Sequence, residues 1–108
     1  MLNETQALVR MHEIEFGLDG YTNLTPERAE KEIELCRSEI SRYLLAKYHL
    51  LKQRYSAGAL VEAEDDICSG CHITLSKNTV DRLKRGLVFC DHCGRILFHP
   101  DRVYSMQH

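Results

Sequence analysis

The stretch from Cys68 to Pro100 reads CSGCHITLSKNTVDRLKRGLVFCDHCGRILFHP. It holds two Cys-x-x-Cys pairs, Cys68-Ser69-Gly70-Cys71 and Cys90-Asp91-His92-Cys93, with eighteen residues between them. Two residues between thiols let the chain turn tightly enough to aim both sulfurs at one ion. Two such turns supply four thiolates, the closed tetrahedral shell of structural zinc, and a gap of eighteen lies within the range that this pattern uses. Gly70 sits inside the first pair and Gly94 directly follows the second. Turns of this kind need backbone conformations that side chains resist, often with positive φ. The spacing therefore predicts that Cys68, Cys71, Cys90 and Cys93 hold one structural Zn2+.

Other chemistries fit these cysteines less well. A disulfide framework needs an oxidising compartment, and Met1-Leu2-Asn3-Glu4 has neither the basic start nor the apolar run of an export signal. A redox pair would place one Cys-x-x-Cys at a helix N-terminus within a βαβ unit, for which the chain is too short around these motifs. A catalytic zinc keeps an open position, which four thiolates close. His72, His92 and His99 lie near the pairs and are read as surface imidazoles. The fifth cysteine, Cys36, falls on the apolar stripe of a helix and is read as a small buried hydrophobe.

Around the cysteines, short elements follow from the pattern. Ala59 to Glu64 reads as a strand, and Glu64-Asp65-Asp66 as a solvated acidic turn. Ser76 is a good N-cap for a short helix over 77–85, closed by Gly86. Leu87-Val88-Phe89 enters the second cysteine pair as a strand, and Arg95-Ile96-Leu97-Phe98 leaves it as another, stopped by Pro100. The expected core is Val61, Ile73, Leu75, Val80, Leu83, Val88, Ile96 and Phe98. That is thin for such a module, which therefore needs a staple. Structural zinc contributes roughly 10–16 kcal/mol of binding free energy.

Upstream the period becomes helical. Residues 3–17 read as a first helix, with Leu8, Met11, Ile14 or Glu15, and then Leu18 recurring at helical spacing, and Gly17 to Thr25 reads as a turn. A second helix starts with Thr25 as N-cap, Pro26 in the first position and acidic residues in the first turns. Its apolar positions, from Ala29, Ile33, Cys36 and Ile40 through Tyr43 or Leu44 to Leu50 and Leu51, step by four and three, a heptad-like seam interrupted by Lys47. Unbroken from Pro26 to Tyr55, it would run roughly 45 Å. The first helix covers only part of that seam. The end at Leu50, Leu51 and Tyr55 needs either the cysteine module or a second copy of the chain, and a homodimer through the helices is the preferred expectation. The predicted organisation is α+β. Residues 1–57 form an antiparallel, coiled-coil-like helical hairpin, and residues 58–108 a four-cysteine zinc ribbon.

The whole chain of 108 residues bounds what else is possible. It leaves room for one domain or two very small ones and excludes the large α/β enzyme folds. No apolar run is long enough to cross a membrane, so a cytoplasmic protein is expected. No glycine-rich phosphate loop and no nucleophile–base arrangement with supporting context occurs, so no enzyme is expected. The net charge of −2 hides an uneven spread. Arg37, Arg42, Lys47, Lys52 and Arg54 face the single acid Glu39. In the cysteine module, Arg82, Lys84 and Arg85 form the densest basic cluster, with Arg95 nearby. Four thiolates and Zn2+ together carry about −2, which offsets most of the module's positive charge. The candidate binding residues for RNA, DNA or an acidic protein face are thus Arg82, Lys84, Arg85, Arg95, Lys47, Lys52 and Arg54.

The runs Cys71-His72-Ile73-Thr74-Leu75, Val88-Phe89-Cys90 and Cys93-Gly94-Arg95-Ile96-Leu97-Phe98 resemble the bacterial C4-type zinc-ribbon family, whose ribbon follows a coiled coil. Here the helical part is much shortened. The resemblance implies a cytoplasmic, non-enzymatic adaptor. Described members bind the alternative sigma factor sigma-54, a flagellin messenger RNA or components of a secretion apparatus. A weaker resemblance is to the DksA/TraR-type RNA polymerase regulators, which also join a helical hairpin to a four-cysteine zinc module. In those a helix follows the last cysteine pair, where Gly94 to Phe98 here reads as a strand. The expected function is binding to a protein partner of the transcription, flagellar or secretion machinery. The alternative is a regulatory module that binds RNA, DNA or RNA polymerase.

Overall fold

A computed structural model describes residues 3–17 and 25–100. Helices precede a small sheet, an α+β order, and the chain divides into two compact units, Met1–Lys47 and Tyr48–His108.

In the first unit, α1 (Glu4–Glu15) opens with a capping box. The Asn3 side chain accepts from Gln6 N at 2.8 Å, and Gln6 Oε1 accepts from Asn3 N at 3.3 Å, so two orphan donors are satisfied reciprocally. The next helix, α2 (Pro26–Arg37), starts as its sequence predicts, with Thr25 Oγ1 accepting from Arg28 N at 3.3 Å and Pro26 at the first position. The two helices pack on each other, and Arg10 pairs with Glu32 at 3.6 Å. Ala7, Leu8, Val9, Met11, Ile14 and Cys36 are buried. The body of the turn expected between the helices, residues 18–24, lies outside the described residues.

The expected thirty-residue helix is not continuous. It stops at Arg37 and restarts as α3 (Arg42–Tyr55). Two serines explain the break. Ser38 Oγ donates to Leu35 O at 2.7 Å, turning the side chain back on its own helix. Ser41 Oγ accepts from Leu44 N at 3.2 Å, an N-cap contact, while Ser41 N donates to the Glu4 carboxylate at 2.9 Å. Between them, Glu39 N and Ile40 N donate three residues back, the tighter turn of a helix end. Cys36, Ile40, Leu44 and Tyr48 are buried at steps of four across the break; of the expected alternatives Tyr43 and Leu44 it is Leu44 that is buried, and Leu50, read as a seam residue, is exposed.

In the second unit, a 3₁₀ turn (Ser56–Ala59) leads into β1 (Leu60–Glu64). A two-residue connection, Asp65 and Asp66 with φ of 52° and 62°, returns the chain as β2 (Ile67–Cys68), antiparallel to β1. Positive φ at both central residues is what a tight hairpin turn requires, and aspartate tolerates it. After the first cysteine pair comes α4 (Lys77–Leu83), capped by Ser76 Oγ, which accepts from Thr79 N at 3.2 Å. The strands β3 (Val88–Phe89) and β4 (Ile96–Phe98) flank the second pair as an antiparallel hairpin.

The sheet order is β2-β1-β4-β3, with β1 parallel to β4 through Leu60↔Ile96, Val61↔Leu97 and Glu62↔Phe98. An inner strand, β4 is buried at Ile96, Leu97 and Phe98 alike. A core of Ala63, Leu75, Leu83, Val88 and Leu97 closes around Cys68 and Cys90, with Val61 and Val80 partly buried against it. Ile73, expected in this core, is instead 40% exposed, and Leu97, not expected there, belongs to it. Among the described residues, no helix is long and apolar enough to cross a membrane.

Candidate metal centre

The two cysteine turns are built alike. In the first, Cys68 N donates to Ile73 O at 3.2 Å and His72 N to Cys68 O at 2.7 Å. In the second, Cys90 N donates to Arg95 O at 2.8 Å and Gly94 N to Cys90 O at 3.0 Å. Residues 68, 72 and 73 thus correspond to 90, 94 and 95. The residue after each second cysteine is left-handed, His72 at φ 63° and Gly94 at φ 78°. Gly70 is not among the positive-φ residues, so its expected role is corrected. A Cβ there would lie 2.5 Å from Arg95 Cδ, so this glycine leaves room for the Arg95 side chain.

These turns bring the four thiols together, all Sγ atoms lying within 4.8 Å of one another. Cys68 Sγ and Cys93 Sγ are 3.9 Å apart, and Cys71 Sγ and Cys90 Sγ 3.7 Å. A zinc–sulfur bond of about 2.3 Å places tetrahedral sulfurs about 3.8 Å apart, so the site fits one Zn2+ held by Cys68, Cys71, Cys90 and Cys93. Among the described residues no histidine belongs to this cluster, and Cys36 is buried in the first unit, a buried position as read from the sequence.

The electrostatics around the sulfurs differ from one cysteine to the next. Burial pushes the Cys68 thiol up to about 12, against the backbone N–H groups of Cys71 and Gly70 that stabilise its thiolate. Burial likewise raises Cys90, against N–H groups of Cys93 and His92. At Cys93 burial also acts upward. It is outweighed by hydrogen bonds from the Arg95 backbone N–H and the Arg95 side chain, which bring the thiol down to about 7.

Neighbouring side chains brace the turns. Ser69 Oγ donates to Glu62 O at 2.6 Å, fastening the first turn to β1. Asp91 Oδ2 accepts from Thr79 Oγ1 at 2.7 Å and from Ser76 Oγ at 3.3 Å, fastening the second turn to the start of α4. Tyr55 OH donates to Cys93 O at 2.7 Å. Asp91 and Tyr55 were not legible as site residues. Their partners lie far along the chain, and neither is a metal-ligand type at ligand spacing.

The candidate binding residues do not form one set. Arg82, Lys84 and Arg85 are exposed on α4 and the turn after it, with Lys84 Nζ 4.0 Å from Asp81. Arg95 turns inward, its guanidinium 4.0 Å from the Tyr55 ring centroid. Arg54 lies over the same ring at 5.3 Å, and Lys52 over Tyr48 at 4.7 Å. Lys47 belongs to the first unit, over Tyr43 at 5.7 Å.

The CT398 protein of Chlamydia trachomatis has a similar structure, with a TM-score of 0.53 and 28% identity, over 68% of this chain and 33% of that one. The HP0958 protein of Helicobacter pylori CCUG 17874 gives a TM-score of 0.57 at 20% identity, over 66% and 31%, a likeness of fold alone. The chain thus spans about a third of the length of these relatives. No curated protein matches it. Residues 67–97 match the family model of the C4-type zinc ribbon domain, and with the four sulfurs gathered inside that span the chain carries a C4-type zinc ribbon behind a short helical part.

Proposed function

We propose that the protein is a non-enzymatic zinc-ribbon adaptor that binds a protein partner of the transcription, flagellar or secretion machinery. The observation that carries this reading is the closed site: four thiolates fill zinc's coordination and leave no position for a substrate. Ile67, Ile73 and Phe89, each exposed on the ribbon, supply apolar contact area for a partner. A cytoplasmic location suits the reading, because a reducing compartment keeps the thiols available for metal. Exposed Leu35 and Tyr43 on the helices support pairing with a second copy. Sedimentation at micromolar concentration should then give a mass above the 12.5 kDa of one chain.

Affinity capture from native cells tests the main reading. A sigma factor, RNA polymerase or a secretion component should be retained by the wild-type chain and lost with Ile73→Asp and Phe89→Asp. Retention of such a partner by neither protein would contradict it. The exposed Arg82 and Arg85 favour a second reading as an RNA- or DNA-binding regulatory module. That reading requires salt-dependent RNA or DNA binding that Arg82→Ala/Lys84→Ala/Arg85→Ala abolishes.

A further inference from the structure

The two cysteine turns match in backbone but not in the side chain that follows. The first turn continues with Ile73, which points to solvent, and the second with Arg95, which folds back over the site. Three features hold Arg95 there. Gly70, in the opposite turn, leaves the gap that it fills: a Cβ on Gly70 would lie 2.5 Å from Arg95 Cδ and 2.8 Å from both Nε and Nη1. The Tyr55 ring lies 4.0 Å from the guanidinium, a cation–π distance. The Tyr55 hydroxyl donates to Cys93 O, so ring and turn are fixed to each other. Arg95 Nε is buried with no hydrogen-bond partner. Leaving a donor unpaired costs free energy, and a site that tolerates this cost is holding the cation for another reason.

That reason is the metal centre. Four thiolates around Zn2+ carry about −2 in a partly buried place, and Arg95, two residues beyond Cys93 in the chain and packed against Gly70 of the opposite turn, is a cation set between the two turns. We propose that Arg95 is a positioning residue of the zinc site. It fixes the Cys93 sulfur, withdraws charge from it and so sets how firmly the metal is retained. Tyr55 and Gly70 act through Arg95, one by stacking and the other by giving it room.

Competition with a chromogenic chelator and the spectrum of the cobalt-loaded protein test this together. Arg95→Gln and Gly70→Ala should each weaken zinc retention by about 10- to 100-fold. Both should move the thiolate-to-cobalt charge-transfer band to lower energy, because a sulfur lone pair without its hydrogen bond is easier to ionise. Arg95→Lys, which keeps the charge, should recover part of the retention. The Gly70→Ala/Arg95→Gln double variant should be no worse than Arg95→Gln alone, since both changes remove one contact. Wild-type retention in Arg95→Gln would overturn the proposal, as would weakened retention with an unshifted band, the mark of a merely structural role. Should Arg95→Gln take up no metal, Gly70→Ala decides: its arginine is intact, and an unshifted band there also overturns the proposal.

Discussion

His72 and Gly94 occupy the same place in two copies of one turn, both with positive φ. Glycine adopts that conformation freely, whereas a side chain there costs roughly 1–2 kcal/mol. His72→Gly should therefore raise the thermal midpoint of the zinc-loaded protein, and Gly94→Ala should lower it; the opposite signs would refute the equivalence of the turns. The thiols give a pH prediction. Cys68, pushed up to about 12 by burial, is protonated at neutral pH in the metal-free protein, so zinc must displace its proton. Cys93, at about 7, gives up its proton more readily, and adds to the dependence only below that pH. Apparent zinc affinity should fall as pH falls, about tenfold per pH unit for each proton displaced. A chelator competition between about pH 6 and about pH 8 measures this, and a flat profile would contradict it. At this scale the sequence revealed the ligands, because Cys-x-x-Cys spacing is a local property. It did not reveal Arg95, Tyr55 or Gly70 as one assembly, since their contacts join residues from three separate parts of the chain.

Among the elements, the clearest departure from the sequence reading is the gap between α2 and α3. Ala29, Ile33, Cys36 and Ile40 keep a heptad-like rhythm across it, and that rhythm read through the break reaches Leu44, one of its two alternatives there, but misplaces residues beyond. Tyr48, which the rhythm passed over, is fully buried, and Leu50, which it included, is exposed. The warning lay in Ser38 and Ser41, residues that bond their own backbone in competition with a helix. Ser41→Ala removes the contact to Leu44 N and should destabilise the protein by about 1 kcal/mol, measured by denaturant titration. No loss of stability would show that this serine caps nothing. Strands β1, β3 and β4 were legible, each bounded by a cysteine pair or turn, whereas the two-residue β2 was not read from the sequence. The parallel pairing of β1 with β4 was not, because it joins Leu60 to Ile96 across the entire metal module and leaves no local pattern.

At the scale of the molecule, the metal site lies within the small core of the second unit. Cys68 and Cys90 are themselves members of that core, beside Ala63, Leu75, Leu83, Val88 and Leu97. So few apolar side chains do not offset the conformational entropy of ordering the ribbon, and the metal supplies the difference. Chelation should therefore collapse the amide dispersion of residues 60–98 in a proton–nitrogen correlation spectrum, and returning zinc should restore it; a spectrum unchanged by chelation would mean that the ribbon stands without metal. The most direct test is the zinc content of the purified chain alongside its reactive thiols. The account predicts about one equivalent of zinc, with Cys68, Cys71, Cys90 and Cys93 protected from a thiol reagent until a chelator is added. Less than about half an equivalent, with those four thiols reacting freely from the start, would contradict it.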